Sequence, residues 1–103
     1  MYNIILSEYA SEQLVEIKRH LSNSSLDIAS RIADEIAQFA VERLSSFPLS
    51  GPKVFENLNY RNIFKHSYRI IYRVAEKEVY VISIVHSHQD IEKIMGELQV
   101  LQK

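Results

Sequence analysis

Four basic side chains, Arg61, Lys65, Arg69 and Arg73, fall in the stretch 60–74, which contains no acid, and His86 and His88 follow. Arginine binds phosphate or carboxylate through a planar fork and stays charged at any working pH. Histidine titrates near neutrality and can give or take a proton there. Together these residues suit an anion or nucleic-acid site in which Arg61, Lys65, Arg69 and Arg73 hold phosphate and a histidine moves a proton. A plainer reading pairs the arginines with Glu56, Glu76, Glu78 or Asp90 and leaves them solvating a sheet. A third makes them part of a binding face for an extended or helical peptide with acidic and apolar residues. Two histidines without a third ligand nearby are too few for a metal site, so none is expected.

These residues need a sheet to position them. Residues 68–74 and 79–85 are two β-branched and aromatic runs joined by a polar link at 75–78, which predicts a β-hairpin, and 59–64 predicts a third strand before it. Strict alternation puts Tyr68, Ile70, Tyr72 and Val74 on one face, with Arg69, Ile71 and Arg73 on the other. Buried arginine without a partner is rare, so the arginine face is expected to be open, with Ile71 exposed on it. Arg61 and Lys65 are expected to add to that face. In the last strand Tyr80, Ile82, Ile84 and His86 alternate with Val79, Val81, Ser83 and Val85.

The first half supplies the other layer. Residues 2–6 form a short apolar strand. Ser7 then offers an N-cap, and Ala10, Leu14, Ile17 and Leu21 keep one helical stripe, with Lys18, Arg19 and His20 near its end. After the Ser22-Asn23-Ser24-Ser25 break a second helix carries Ile28, Ala29, Ile32, Ile36, Phe39, Ala40 and Leu44 on one face, until Phe47-Pro48 stops it. The short link predicts an antiparallel helix pair. The loop 48–52 holds both prolines and Gly51. From Asp90 onward helical spacing returns, weakened by Gly96, which predicts a tail or short helix.

The chain therefore reads as one domain over 1–103, an α+β two-layer fold. It has an N-terminal strand, an antiparallel α-hairpin packed on a mainly antiparallel β-sheet, and a C-terminal tail or short helix. An apolar fraction of 47% and a charged fraction of 24% are those of a globular protein. Absence of cysteine excludes disulfides and thiolate metal ligands and suits a reducing compartment. No membrane span or signal peptide is expected, so the default location is the cytoplasm. Residues 1–59 carry 5 basic and 8 acidic side chains (−3), and 60–103 carry 7 and 5 (+2), which sum to the net −1. That excess is too small for binding long duplex nucleic acid through its backbone.

The string Tyr68-Arg69-Ile70-Ile71-Tyr72-Arg73-Val74 and the ending Ile84-Val85-His86-Ser87-His88-Gln89-Asp90, behind the helix pair and the Gly51 loop, resemble the RelE/ParE superfamily. Its members are toxins of type II toxin–antitoxin modules, and the likeness spans residues 2–95. The resemblance implies an α-hairpin on a mainly antiparallel sheet and a growth-inhibiting role. It also implies neutralisation by a cognate antitoxin whose C-terminal segment wraps the helices and sheet. RelE-like members cut mRNA on the ribosome, whereas ParE-like members inhibit DNA gyrase. In nuclease members the arginine matching Arg69 contacts RNA phosphate, and Lys65, Arg61 and Arg73 lie where further basic residues are often found. This chain lacks the basic turn and tail tyrosine of RelE, and His86 followed by Asp90 is similar to ParE-like endings. The resemblance thus points to a gyrase inhibitor without cofactor. The alternatives are a metal-independent mRNA interferase, with His86 or His88 as acid/base group beside Arg69, and an inactive homologue kept as an antitoxin-binding module.

Overall fold

A computed structural model describes residues 1–22, 25–54 and 59–87. Strand β1 (Asn3–Leu6) leads into helix α1 (Glu8–Leu21), then α2 (Leu26–Ser46), β2 (Arg61–Lys65), β3 (Tyr68–Ala75) and β4 (Glu78–His86). The two helices pack against one face of a four-stranded sheet ordered β1-β4-β3-β2. β2, β3 and β4 are antiparallel neighbours, and β1 lies parallel to β4 with Asn3 opposite Glu78 and Leu6 opposite Val81. The expected α+β two-layer architecture is the observed one. The expected tail from Asp90 lies outside the described residues.

Local chemistry sets the helix ends. Ser7 caps α1 by accepting a hydrogen bond from the Ala10 N–H at 2.9 Å, and Ser25 caps α2 through the Ile28 N–H at 3.4 Å. α2 stops at Ser46, where Phe47 stands before Pro48 and leaves the α region. The buried line of α2 is Ala29, Ala33, Ile36, Ala40 and Leu44, and its small residues let α1 approach closely. Ile28, expected in that stripe, is 45% exposed because the stripe winds past it in the first turn.

The hairpin turns are tighter than the sequence suggested. β2 and β3 are joined by His66 and Ser67, both at positive φ (52° and 66°), which matches the right-handed twist of the flanking strands. Ala75 and Glu78 belong to strands, leaving only Glu76, at φ 56°, and Lys77 as the β3–β4 turn.

A β-bulge breaks the alternation expected for β4. Ile71 pairs with Ser83, but Tyr72 pairs with Val81, so Ile82 is an extra residue on β4. As a result Val79, Val81 and Ile84 all join the helix-side core, whereas Tyr80, Ile82 and Val85 lie on the outer face. α1 holds this irregularity in place. The Ser7 hydroxyl donates to the Ile82 carbonyl at 2.9 Å, and Gln13 Oε1 accepts from the Ser83 hydroxyl (3.0 Å) and the Ile84 N–H (2.7 Å).

Candidate functional site on the two faces of the sheet

The outer face of the sheet is a second, small core and not an open plane. Ile71, expected to be exposed, is fully buried there with Tyr60, Ile82 and Val85, and Val54 and Tyr80 pack against them. Residues 52–54 run antiparallel beside the start of β2, where Lys53 bridges to Arg61, the Val54 N–H donates to the Tyr60 carbonyl and the Asn62 N–H to the Pro52 carbonyl. Nothing in the residue types of 68–74 announces a cover supplied from a distant loop.

Arg69 and Arg73 do lie on this face, as expected. Arg69 stacks over the Phe64 ring at 4.8 Å, and its Nη1 donates to Asn62 Oδ1 at 2.7 Å. Arg73 lies over the Tyr80 ring at 4.5 Å. Among the described residues neither is ion-paired, although pairing with Glu56 or Asp90 falls outside them. Glu78 instead accepts a hydrogen bond from the Tyr80 hydroxyl at 2.9 Å, which holds that phenol above its ordinary pKa, with burial adding to the effect. Flat guanidinium groups with free edges are suited to planar oxyanions.

Arg61 and Lys65 do not join them. Both sit on β2 with the parity of Ile63, which packs on the helix side. Arg61 Nη1 donates to the carbonyls of Gly51 (2.8 Å) and Leu49 (3.4 Å), so it fastens the loop after α2. Lys65 Nζ rests 5.3 Å from the centre of the Phe39 ring, at a shallow pocket of about 180 Å³ shared with Glu35, Gln38 and Glu42. Two carboxylates there disfavour a bound phosphate.

His86 also stands on the helix side. It pairs directly with Tyr68, and the two rings meet edge-on with centroids 5.5 Å apart. Lys65, Tyr68 and His86 therefore form one lateral row across three strands, on the face opposite to Arg69 and Arg73. His88 lies outside the described residues. Among the described residues no group of three potential ligands could hold a metal ion.

Two contacts went unforeseen because they join distant parts of the chain. The Gly51 N–H donates to the buried Tyr72 hydroxyl at 3.1 Å, and a Cβ on Gly51 would lie 2.5 Å from the Asn62 carbonyl oxygen and 2.7 Å from that hydroxyl. Burial raises the Tyr72 pKa. His66 Nε2 meets Glu35 Oε2 at 2.5 Å, and this hydrogen bond is the main cause of the lowered Glu35 pKa.

The family model for the ParE toxin of the type II toxin–antitoxin system parDE matches residues 4–91. The chain belongs to the ParE toxin family. Solved structures share its fold. A chain of the chromosomal ParDE toxin–antitoxin system of P. aeruginosa superposes with a TM-score of 0.74 at 17% identity, covering 84% of this chain and 96% of that one. A chain of the Mycobacterium tuberculosis RelBE2 toxin–antitoxin complex gives 0.65 at 21% identity, covering 82% and 96%. A mutant of E. coli toxin RelE in the free state gives 0.64 at 20% identity, covering 94% and 93%. A comparison with curated proteins returns no match. The protein is thus a toxin of the type II toxin–antitoxin class with the RelE/ParE fold, and among its described residues no helix is long and apolar enough to cross a membrane.

Proposed function

We propose that this ParE-family toxin arrests growth by inhibiting DNA gyrase, and that a cognate antitoxin neutralises it. One observation carries the choice of gyrase over mRNA. The phosphate-binding candidates Arg69 and Arg73 and the acid/base candidate His86 stand on opposite faces of the sheet. A general base must come within about 3 Å of the proton it removes. His86 and the arginines thus do not converge on one phosphodiester. Lys65, which does share the His86 face, sits among carboxylates. What the outer face offers is a half-buried cationic and aromatic surface (Phe64, Arg69, Arg73, Tyr80), a composition typical of protein–protein contacts.

Purified toxin added to a gyrase supercoiling assay tests the proposal, with mRNA integrity followed by primer extension in arrested cells. Expected are a loss of supercoiling and no new cut sites. Unimpaired supercoiling at excess toxin, together with message cleavage, would establish the interferase instead. No growth defect on induction would leave an inactive, antitoxin-binding homologue.

A further inference from the structure

β1 is an edge strand, and its alternation decides which of its backbone groups are spoken for. The Asn3 N–H donates to the Lys77 carbonyl and the Ser7 N–H to the Val81 carbonyl, so in this parallel ladder Asn3, Ile5 and Ser7 turn their backbone groups toward β4. Ile4 and Leu6 turn theirs outward. On that outer edge the Tyr2 N–H is taken by the Ser45 carbonyl at the end of α2, but among the described residues nothing pairs with the N–H and C=O groups of Ile4 and Leu6. Edge strands are usually guarded by charge, proline or a bulge. The sequence Asn-Ile-Ile-Leu has none of these, its four-residue length being its one safeguard, and Ile5 is 37% exposed on the sheet's outer side.

We propose that β1 pairs antiparallel with β1 of a second copy of the chain, about a two-fold axis through Ile5, giving one continuous eight-stranded sheet. The pattern is self-complementary. With Ile5 opposite its symmetry mate, Ile4 of each copy faces Leu6 of the other, and both are outward-turned residues. All four outward N–H groups then meet outward carbonyls, and the two Ile5 side chains meet at the axis. The strand is uncharged, so nothing repels at the junction. An isologous contact of this kind closes at a dimer and leaves no free β1 edge. It is independent of the gyrase reading.

Sedimentation of the purified toxin, at up to about 0.5 mM because so small an interface is at the weak end, tests this directly. A mass twice the 12.0 kDa of the chain is expected. Ile5→Lys places two ammonium groups at the axis and Ile5→Glu two carboxylates; each alone should raise the dimer dissociation constant at least tenfold, and a 1:1 mixture should recover dimer. The site is solvent-facing, and an unchanged circular dichroism spectrum shows that each variant folds. Hydrogen exchange should show the Ile4 and Leu6 amides slowing as concentration rises. A wild-type monomer at the highest concentration, or a mixture that stays monomeric, overturns the proposal. Slowing of those two amides only when antitoxin is added would give the edge to an antitoxin strand and overturn it equally.

Discussion

Tyr68 and His86 meet edge-on across the β3–β4 ladder, ring centroids 5.5 Å apart, while Arg69, the next residue along β3, points to the other side of the sheet. The pleat alone separates them, since neighbouring side chains on a strand face opposite ways. For a toxin of this class the separation splits its candidate residues into two groups. Substituting Arg69 and His86 should therefore give different phenotypes. Arg69→Ala is expected to weaken growth arrest at least tenfold in the inducer needed, whereas His86→Ala should stay within about twofold of wild type. Equal losses, with cleaved message in wild-type cells alone, would show the two acting on one substrate.

Gly51 is held where no side chain fits. Gly51→Ala would drive a methyl group into the Asn62 carbonyl and the Tyr72 hydroxyl, and overpacking of this kind costs about 1–3 kcal/mol. Tyr72→Phe leaves the Gly51 N–H without its acceptor, a loss of roughly 1–3 kcal/mol. Because Tyr72→Phe also removes one of the three atoms the methyl group would meet, the third being Ile63 Cγ2 at 3.0 Å, the double variant should lose less than the sum. Urea unfolding of all four proteins measures the coupling, and strict additivity would contradict the contact.

Ser67 occupies the left-handed region at φ 66° with a side chain that disfavours it. Glycine carries no such penalty, so Ser67→Gly should stabilise the protein by about 1 kcal/mol, read as a higher denaturation midpoint at unchanged slope. A lower midpoint would mean that the Ser67 side chain has a structural role of its own.

Three of the six tyrosines should ionise late. Burial raises the pKa of Tyr68 and is the main cause for Tyr72, whereas Tyr80 is raised mainly by its hydrogen bond to Glu78. A phenol whose folded pKa exceeds its unfolded value near 10 adds stability that is fully present below pH 10 and is lost as pH rises through the folded pKa. Absorbance at alkaline pH should show these three titrating above the ordinary range, and Glu78→Gln should move only the Tyr80 component, downward.

The Glu35–His66 pair predicts the opposite limb. The carboxyl pKa is lowered from 4.5, chiefly by the hydrogen bond to His66. Its stabilising contribution is therefore present above pH 4.5 and disappears as pH falls through the lowered value. Glu35→Gln should flatten the acid side of the melting-temperature profile and leave the alkaline side unchanged. Both groups are partly exposed, so added salt should shrink the difference.

The sequence alone determined what depends on near neighbours. Ser7 and Ser25 cap their helices because a side-chain oxygen reaches an N–H three residues on, Phe47-Pro48 ends α2 because the ring restricts the residue before it, and the hairpin follows from two β-branched runs. Even the arginines of β3 fell on the expected face, since alternation on an unbroken strand is a local rule. Where that rule failed, the cause was distant. The Ile82 bulge, held by Ser7 and Gln13 more than sixty residues earlier, changed the parity of β4. A loop folding back along β2 buried Ile71, and the parity of β2 turned Arg61 and Lys65 toward the helices. Only the tertiary structure decided these points, because the free energy that fixes them comes from contacts between residues far apart in the chain, which residue spacing does not encode.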